Sequence, residues 1–180
     1  MREMKLKPFI IAFVVVLVLL VGGSFTYQYV AQEKPMQEKL DKLVYSNILL
    51  PVEKQDGSYH LTMEVVKDCK LQEAMEELKQ AVQEYDLTEE NYDVQLLNKS
   101  SELQDVWQGQ LFAIAEIMAN QQYSELPELM QTIEKEHPDV QADASMDEKY
   151  VYITLLKDGQ RFDKLLPLDG GKMEVWQDAQ

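Results

Sequence analysis

Along this chain the spacing of apolar residues changes period several times, and each change marks an element. Residues 9–21 form an unbroken apolar run that residues 22–30 extend without a charge. From Pro35 the spacing becomes helical through Met36, Leu40, Leu43 and Val44, with the proline suited to a first turn. Ile48, Leu49 and Leu50 read as one strand near 47–53. Tyr59, Leu61, Met63 and Val65, alternating with His60, Thr62 and Glu64, read as another near 58–67, with KQDGS as the hairpin turn between them.

The period then returns to that of a helix. Leu71, Ala74, Met75, Leu78, Val82 and Tyr85 share one face, and Asp68 is placed to cap it. After a polar stretch, Tyr92, Val94, Leu96 and Leu97 suggest a strand. Leu103, Val106, Trp107, Leu111, Ile114, Ile117 and Met118 mark the strongest helix, over about residues 101–120. Leu126, Leu129, Met130 and Ile133 mark the next, with Ser124 placed to cap it, Pro127 in its first turn and His137-Pro138 ending it. The last third reads as sheet. Val140, Ala142 and Ala144 alternate, residues 143–149 turn, and KYVYITLL is rich in β-branched and aromatic residues. Asp158-Gly159 is a two-residue hairpin signal, and RFDKLLPL returns along the strand before it.

The expected fold is α+β: one N-terminal transmembrane helix, then a compact extracytoplasmic domain with antiparallel hairpins, a meander and about three amphipathic helices. The expected divisions are a basic stub at 1–7, a membrane segment at 8–30, a juxtamembrane helix or stalk at 31–46, the domain at 47–168 and a tail at 169–180. Within the domain, 47–97 and 101–168 are candidate lobes. The stretch LTMEVVKDCKLQEAMEELKQAV resembles the strand-then-helix unit of ring-building modules in bacterial secretion and sporulation assemblies. That resemblance covers about twenty residues and rests on patterning that many α+β domains share.

The apolar run decides where the chain is placed. Arg2, Lys5 and Lys7 precede it, so the N-terminus is held inside and the rest is exported. Residues 9–21 alone rise only about 20 Å as a helix, whereas residues 9–30 reach about 33 Å and span a bilayer. Phe9, Val14, Leu17 and Leu20 lie within the apolar segment, and Tyr27 and Tyr29 fall at an aromatic belt. The alternative is cleavage after Ser24, because Gly22 and Ser24 supply small residues for a signal peptidase.

Charge narrows the partners. With 17 Lys and Arg against 32 Asp and Glu, the formal charge is −15. A polyanion or an anionic lipid surface has no basic face to meet, so nucleic acid is not expected as a partner. The single cysteine, Cys69, allows no internal disulfide, which fits an exported bacterial protein.

Chemistry-bearing motifs are sparse. His60 falls on the polar face of its strand and His137 at a helix end, and no catalytic, metal-binding or cofactor-binding motif is found. Cys69, near a helix start, reads as a small buried hydrophobe. Asp143-Ala-Ser145-Met-Asp147 opens like a calcium loop, but Glu148 and Thr154 stand where glycine and glutamate are needed. Asn98-Lys99-Ser100 matches a glycosylation triplet, and Glu89-Glu90 is a carboxylate pair of the kind an acidic chain contains by accident. Leu103, Val106, Trp107, Leu111 and Ile114 form either core or a groove for a partner's helix, and they are the candidate partner face.

The functional expectation is a single-pass protein of a bacterial cell membrane whose acidic extracytoplasmic domain binds other envelope proteins, without catalysis or cofactor, as an assembly, scaffold or regulatory component. The alternative is a small-ligand or cell-wall-binding module, signalled by a pocket lined by Tyr59, Trp107, Tyr150 or Tyr152. A two-carboxylate hydrolase would need facing carboxylates, one with a raised pKa.

Overall fold

The computed structural model describes residues 34–49, 52–55, 57–66, 68–88 and 90–168, together with Phe13, Val16 and Leu17. The membrane-segment residues Phe9, Val14, Leu20, Tyr27 and Tyr29, the orienting Arg2, Lys5 and Lys7, and the tail at 169–180 lie outside the described residues. Leu17 is described, helical and exposed. Among the described residues no helix is long and apolar enough to cross a membrane.

The architecture is α+β. Helix α1 (Lys34–Leu40) is followed by strands β1 (Ser46–Ile48), β2 (Glu53–Gln55) and β3 (Ser58–Val65), helix α2 (Leu71–Gln83) and strand β4 (Tyr92–Leu96). Helix α3 (Ser101–Ala119), a 3₁₀ turn (Tyr123–Glu125), helix α4 (Leu126–Glu136) and strands β5 (Gln141–Met146), β6 (Tyr150–Lys157) and β7 (Gln160–Pro167) complete it.

In the first sheet β1 and β2 both pair antiparallel with β3, β1 with its C-terminal end and β2 with its N-terminal end. The pairing of β3 with β4 is parallel, with Tyr59 opposite Tyr92 and Met63 opposite Leu96. Helix α2 is the crossover that parallel pairing requires. The sequence pattern marks the strand but not its direction, because parallel and antiparallel strands share a period of two.

The second sheet is the expected meander, β5-β6-β7. Asp158 and Gly159 both take positive φ, 49° and 79°, as a type I′ hairpin turn demands. Strand β5 runs on to Met146, so the turn before β6 is shorter than the pattern suggests. The reason is Asp147, whose carboxylate accepts the Lys149 and Tyr150 N–H groups at 2.7 and 2.8 Å and closes the connection within a few residues.

Strand β6 is apolar on both faces, and this organises the molecule. Val151, Ile153 and Leu155, with Phe162 and Leu166 opposite on β7, pack under α3 and α4 around Trp107, Ile114 and Ile133. The Trp107 and Phe162 rings lie 6.0 Å apart. On the other face, Tyr152 joins a second core built by α1, β1, β3 and α2, centred on Leu40, Met63 and Leu78. The two candidate lobes therefore each have a core, but β6 serves both. Helix α1 belongs to the second core, with Met36 and Leu40 buried. It packs against α2 as part of the domain, which corrects the expectation of a stalk.

Where the sheets meet, Arg161 and Asp163 of β7 form an ion pair at 2.5 Å, with their side chains only 9% and 5% exposed. Guanidinium N–H groups also reach the Cys69 carbonyl at 2.6 Å and the Val66 carbonyl at 3.3 Å, in the turn between β3 and α2. Asp163 accepts the Thr154 hydroxyl at 2.6 Å. Asn98, just beyond β4, accepts the Asp163 N–H at 2.8 Å and donates to its carbonyl at 3.1 Å. The side chain of Asn98 thus stands in for a strand residue and joins the sheets across 65 positions of sequence.

Helix capping differs in two places. Asp68 does not cap α2, whose first flanking residue is Lys70 with no side-chain bond. Ser124 does not cap α4, because it is held inside the 3₁₀ turn. Ser100 does cap α3, accepting the Leu103 N–H at 3.3 Å.

Replacing Asp163 with alanine leaves a guanidinium without its counter-charge, and a loss of about 3–5 kcal/mol in unfolding free energy is expected by urea denaturation. Arg161→Ala should cost a similar amount, and the double variant much less than the sum. Additive losses would show that the pair does not act as a unit.

Candidate interaction surface

Most groups able to do chemistry are satisfied within the molecule. His60 Nδ1 lies 2.6 Å from Asp93 on the exposed face of β3 and β4. His137 ends α4, where its N–H bonds to the Ile133 carbonyl. The Cys69 thiol donates to the Tyr45 carbonyl at 3.3 Å, and burial pushes its pKa up, so it is held as a thiol. Glu89 lies outside the described residues, and Glu90 is exposed. Asp143 and Ser145 are strand residues of β5, and among the described residues no group of His, Cys, Asp and Glu is placed to hold a metal ion. Asn98 of the glycosylation triplet is engaged with Asp163.

An open cleft of about 470 Å³ lies over the seam beside Asn47, Glu64, Lys99 and Arg161. Its charged groups are paired, Lys99 with Glu64 at 2.5 Å and Arg161 with Asp163. A second cleft, of about 380 Å³, is bounded by α2, β4 and the β5–β6 connection and lined by Tyr92, Tyr150 and Tyr152. The Tyr152 hydroxyl donates to Asp147 at 2.6 Å. Burial raises the Tyr152 pKa and the bond to Asp147 raises it further. Burial also acts to raise the Asp147 pKa, but the bonds from Tyr152, Lys149 and Tyr150 outweigh it and hold the carboxyl below its ordinary 3.8. Trp107 and Tyr59 do not join this cleft. Trp107 is in the core under α3, and Tyr59 sits beneath the Lys54 ammonium at 4.7 Å.

Asp139 is likewise lowered, first by its bond from Lys157. Lys157 is raised by its bonds to Asp139 and Glu102. Asp139 and Asp147 therefore both lie below the ordinary carboxylate range, each held there by hydrogen bonds.

The candidate partner face on α3 needs correction. Leu103, Val106, Trp107 and Ile114 are buried in the domain's own core, with Leu111 packed against them. The meander supplies the apolar partner, so the stripe is not available to another protein. The outward side of the same helix carries what the periodic reading passes over. Phe112 stands 89% exposed. It follows Leu111 directly, about 100° round the helix from the stripe, so a search for helical periodicity leaves it out.

Around Phe112 the surface has one character. No lysine or arginine occurs from Ser101 to Glu134, and Glu116 follows Phe112 by one turn on the same side. Between α3 and α4 runs an open groove of about 370 Å³, where Ala113, Ile117 and Leu129 adjoin Glu116, Glu125 and Glu128. Among the described residues these three carboxylates have no ion-pair partner, unlike Glu102, which Lys157 holds. The base-free stretch was the signal in the sequence that marks this surface. Gly109 lies one turn before Phe112, where an added Cβ would meet nothing within 4 Å.

Two outcomes follow. Because Asp147 has a lowered folded-state pKa, its contribution to stability is present above 3.8 and is lost as pH falls through the folded value. Asp147→Asn should therefore lower stability at pH 7 by about 1 kcal/mol or less, given solvent screening, and thermal melts of the two proteins should converge in acid. Gly109→Ala should raise stability by about 0.5–1 kcal/mol, because a helix-interior glycine with no steric requirement carries only an entropic cost. A loss of stability would reveal a backbone demand at that position.

Comparison of the chain with protein-family models, with curated proteins and with solved structures finds no match.

Proposed function

We propose that this chain is a single-pass bacterial envelope protein, anchored through residues 9–30, whose α+β domain lies outside the cytoplasm and binds another protein as a non-catalytic assembly, scaffold or regulatory component. The observation that carries the binding reading is Phe112, 89% exposed on a helix whose core-facing stripe is already covered. Burying such a ring is worth about 1.5–3 kcal/mol, which a monomer leaves unrealised and an interface recovers. The anchor reading rests on the sequence, on the basic residues before an uncharged segment long enough to span.

A specific observation favours a second reading. The cleft lined by Tyr92, Tyr150 and Tyr152 offers aromatic surface for a small ligand or a wall glycan. The mutual satisfaction of Tyr152 and Asp147 leaves it fewer polar groups with which to orient such a ligand.

In its native host, the full-length chain should stay in the membrane fraction through a carbonate wash at its uncleaved mass. A photo-crosslinking residue at position 112 should give a discrete adduct with another envelope protein, and the same residue at position 90 should not. A soluble species beginning at Phe25 would overturn the anchored reading. Equal labelling at both positions would overturn the protein-binding one.

A further inference from the structure

We propose that the Phe112 surface and the adjoining α3–α4 groove receive a basic amphipathic segment of a partner protein, with apolar side chains that cover Phe112 and lysines or arginines that meet Glu116, Glu125 and Glu128. This rests on the protein-binding reading above and names the partner's chemistry and the place where it docks.

Three independent features agree. The first is apolar: Phe112 projects into solvent beside a groove edged by the half-buried Ala113 and Leu129, with the core residue Ile117 in its lining. The second is electrostatic: exposed carboxylates at Glu116, Glu125 and Glu128 are unpaired among the described residues, on a stretch with no basic side chain before Lys135. Like charges gathered without counter-charge repel one another, and a cationic partner relieves that repulsion while steering its own approach. The third is steric: Gly109 keeps the helix surface bare one turn before Phe112, though nothing in the molecule fills the space a side chain would take. A bare backbone there lets another segment approach closely.

The same features select among occupants. An anionic lipid surface or a nucleic acid is repelled by these carboxylates. A second copy brings the same acidic face and a formal charge of −15, and its basic cluster of Arg2, Lys5 and Lys7 lies across the membrane in the proposed topology. A helix or extended segment with an alternating apolar and basic pattern complements both the ring and the carboxylates.

The test uses the full chain in nanodiscs of neutral phosphatidylcholine and a fluorescent amphipathic peptide of leucine and lysine. Empty nanodiscs supply the blank, and a leucine–glutamate peptide is the control. The lysine peptide should bind with an affinity that falls as salt rises, and the glutamate peptide should not bind. Phe112→Ser and the triple change Glu116→Gln, Glu125→Gln, Glu128→Gln should each weaken binding about tenfold or more. A triple of equal charge change at exposed residues elsewhere, Glu38→Gln, Asp41→Asn and Glu90→Gln, should weaken it less than twofold. Gly109→Ala should weaken binding while stabilising the fold, a combination that misfolding cannot produce.

Equal losses in the two triples, or no effect of Phe112→Ser, would overturn the assignment and reduce the attraction to net charge. Self-association of the wild-type chain that Phe112→Ser dissolves would also overturn it and give the surface to a second copy. A position-112 crosslink to an envelope protein together with failure of the lysine peptide would overturn the partner chemistry alone and leave the protein-binding function standing.

Discussion

The structure depends on burying a guanidinium. The Arg161 side chain, only 9% exposed beside the open cleft, has Asp163 at 2.5 Å and the Cys69 and Val66 carbonyls around it. Removing a charge from water costs several kcal/mol, and only a complete set of partners offsets that cost. The partners here come from β7, from β6 through Thr154, and from the turn between β3 and α2. Placement of the turn, the start of α2 and the edge of the second sheet are therefore settled together. A segment displaced by a few ångströms leaves a buried charge without its complement, which is how one polar cluster selects a single arrangement among apolar packings of similar energy.

That constraint makes the two-faced strand β6 workable. Its run of Tyr150 to Leu156 has apolar side chains on both sides, as a strand covered on both faces requires. Val151, Ile153 and Leu155 belong to the core under α3 and α4, and Tyr152 to the core around α2. Thr154, the polar member of the strand, sits where the face turns from apolar packing to the Arg161–Asp163 pair. The domain is thus two cores with a shared wall, joined at one end by charge and side-chain amide bonds.

These internal commitments set one surface of the domain apart by contrast. His60, the cysteine and the carboxylates with displaced pKa are each explained by a partner inside the fold or by burial. The outward side of α3 and α4 differs. There Phe112 has no cover, and Glu116, Glu125 and Glu128 have no counter-ions among the described residues. Acidic residues on a surface and a single exposed apolar side chain are each ordinary; what sets this side apart is that Phe112, 89% exposed, stands next to those unpaired carboxylates at an open groove.

The sequence by itself determined every element whose signal is local. The helix from Ser101 to Ala119 follows from its 3.6-residue stripe, and the hairpin of β6 and β7 from Asp158-Gly159, because one turn type demands two positive φ angles in succession. The α+β class followed from the order of such signals. Only the tertiary structure decided the parallel pairing of β3 with β4, the place of α1 in a core, and the identity of the stripe on α3 as core. Each of these depends on contacts between residues far apart in the chain, as with Arg161 and Cys69, which are 92 positions apart. A hydrophobic pattern states that a face must be covered and is silent on what covers it. For the same reason Phe112 was invisible to periodicity: exposure is a property of what the rest of the chain leaves uncovered, and no residue's own neighbours along the sequence specify that.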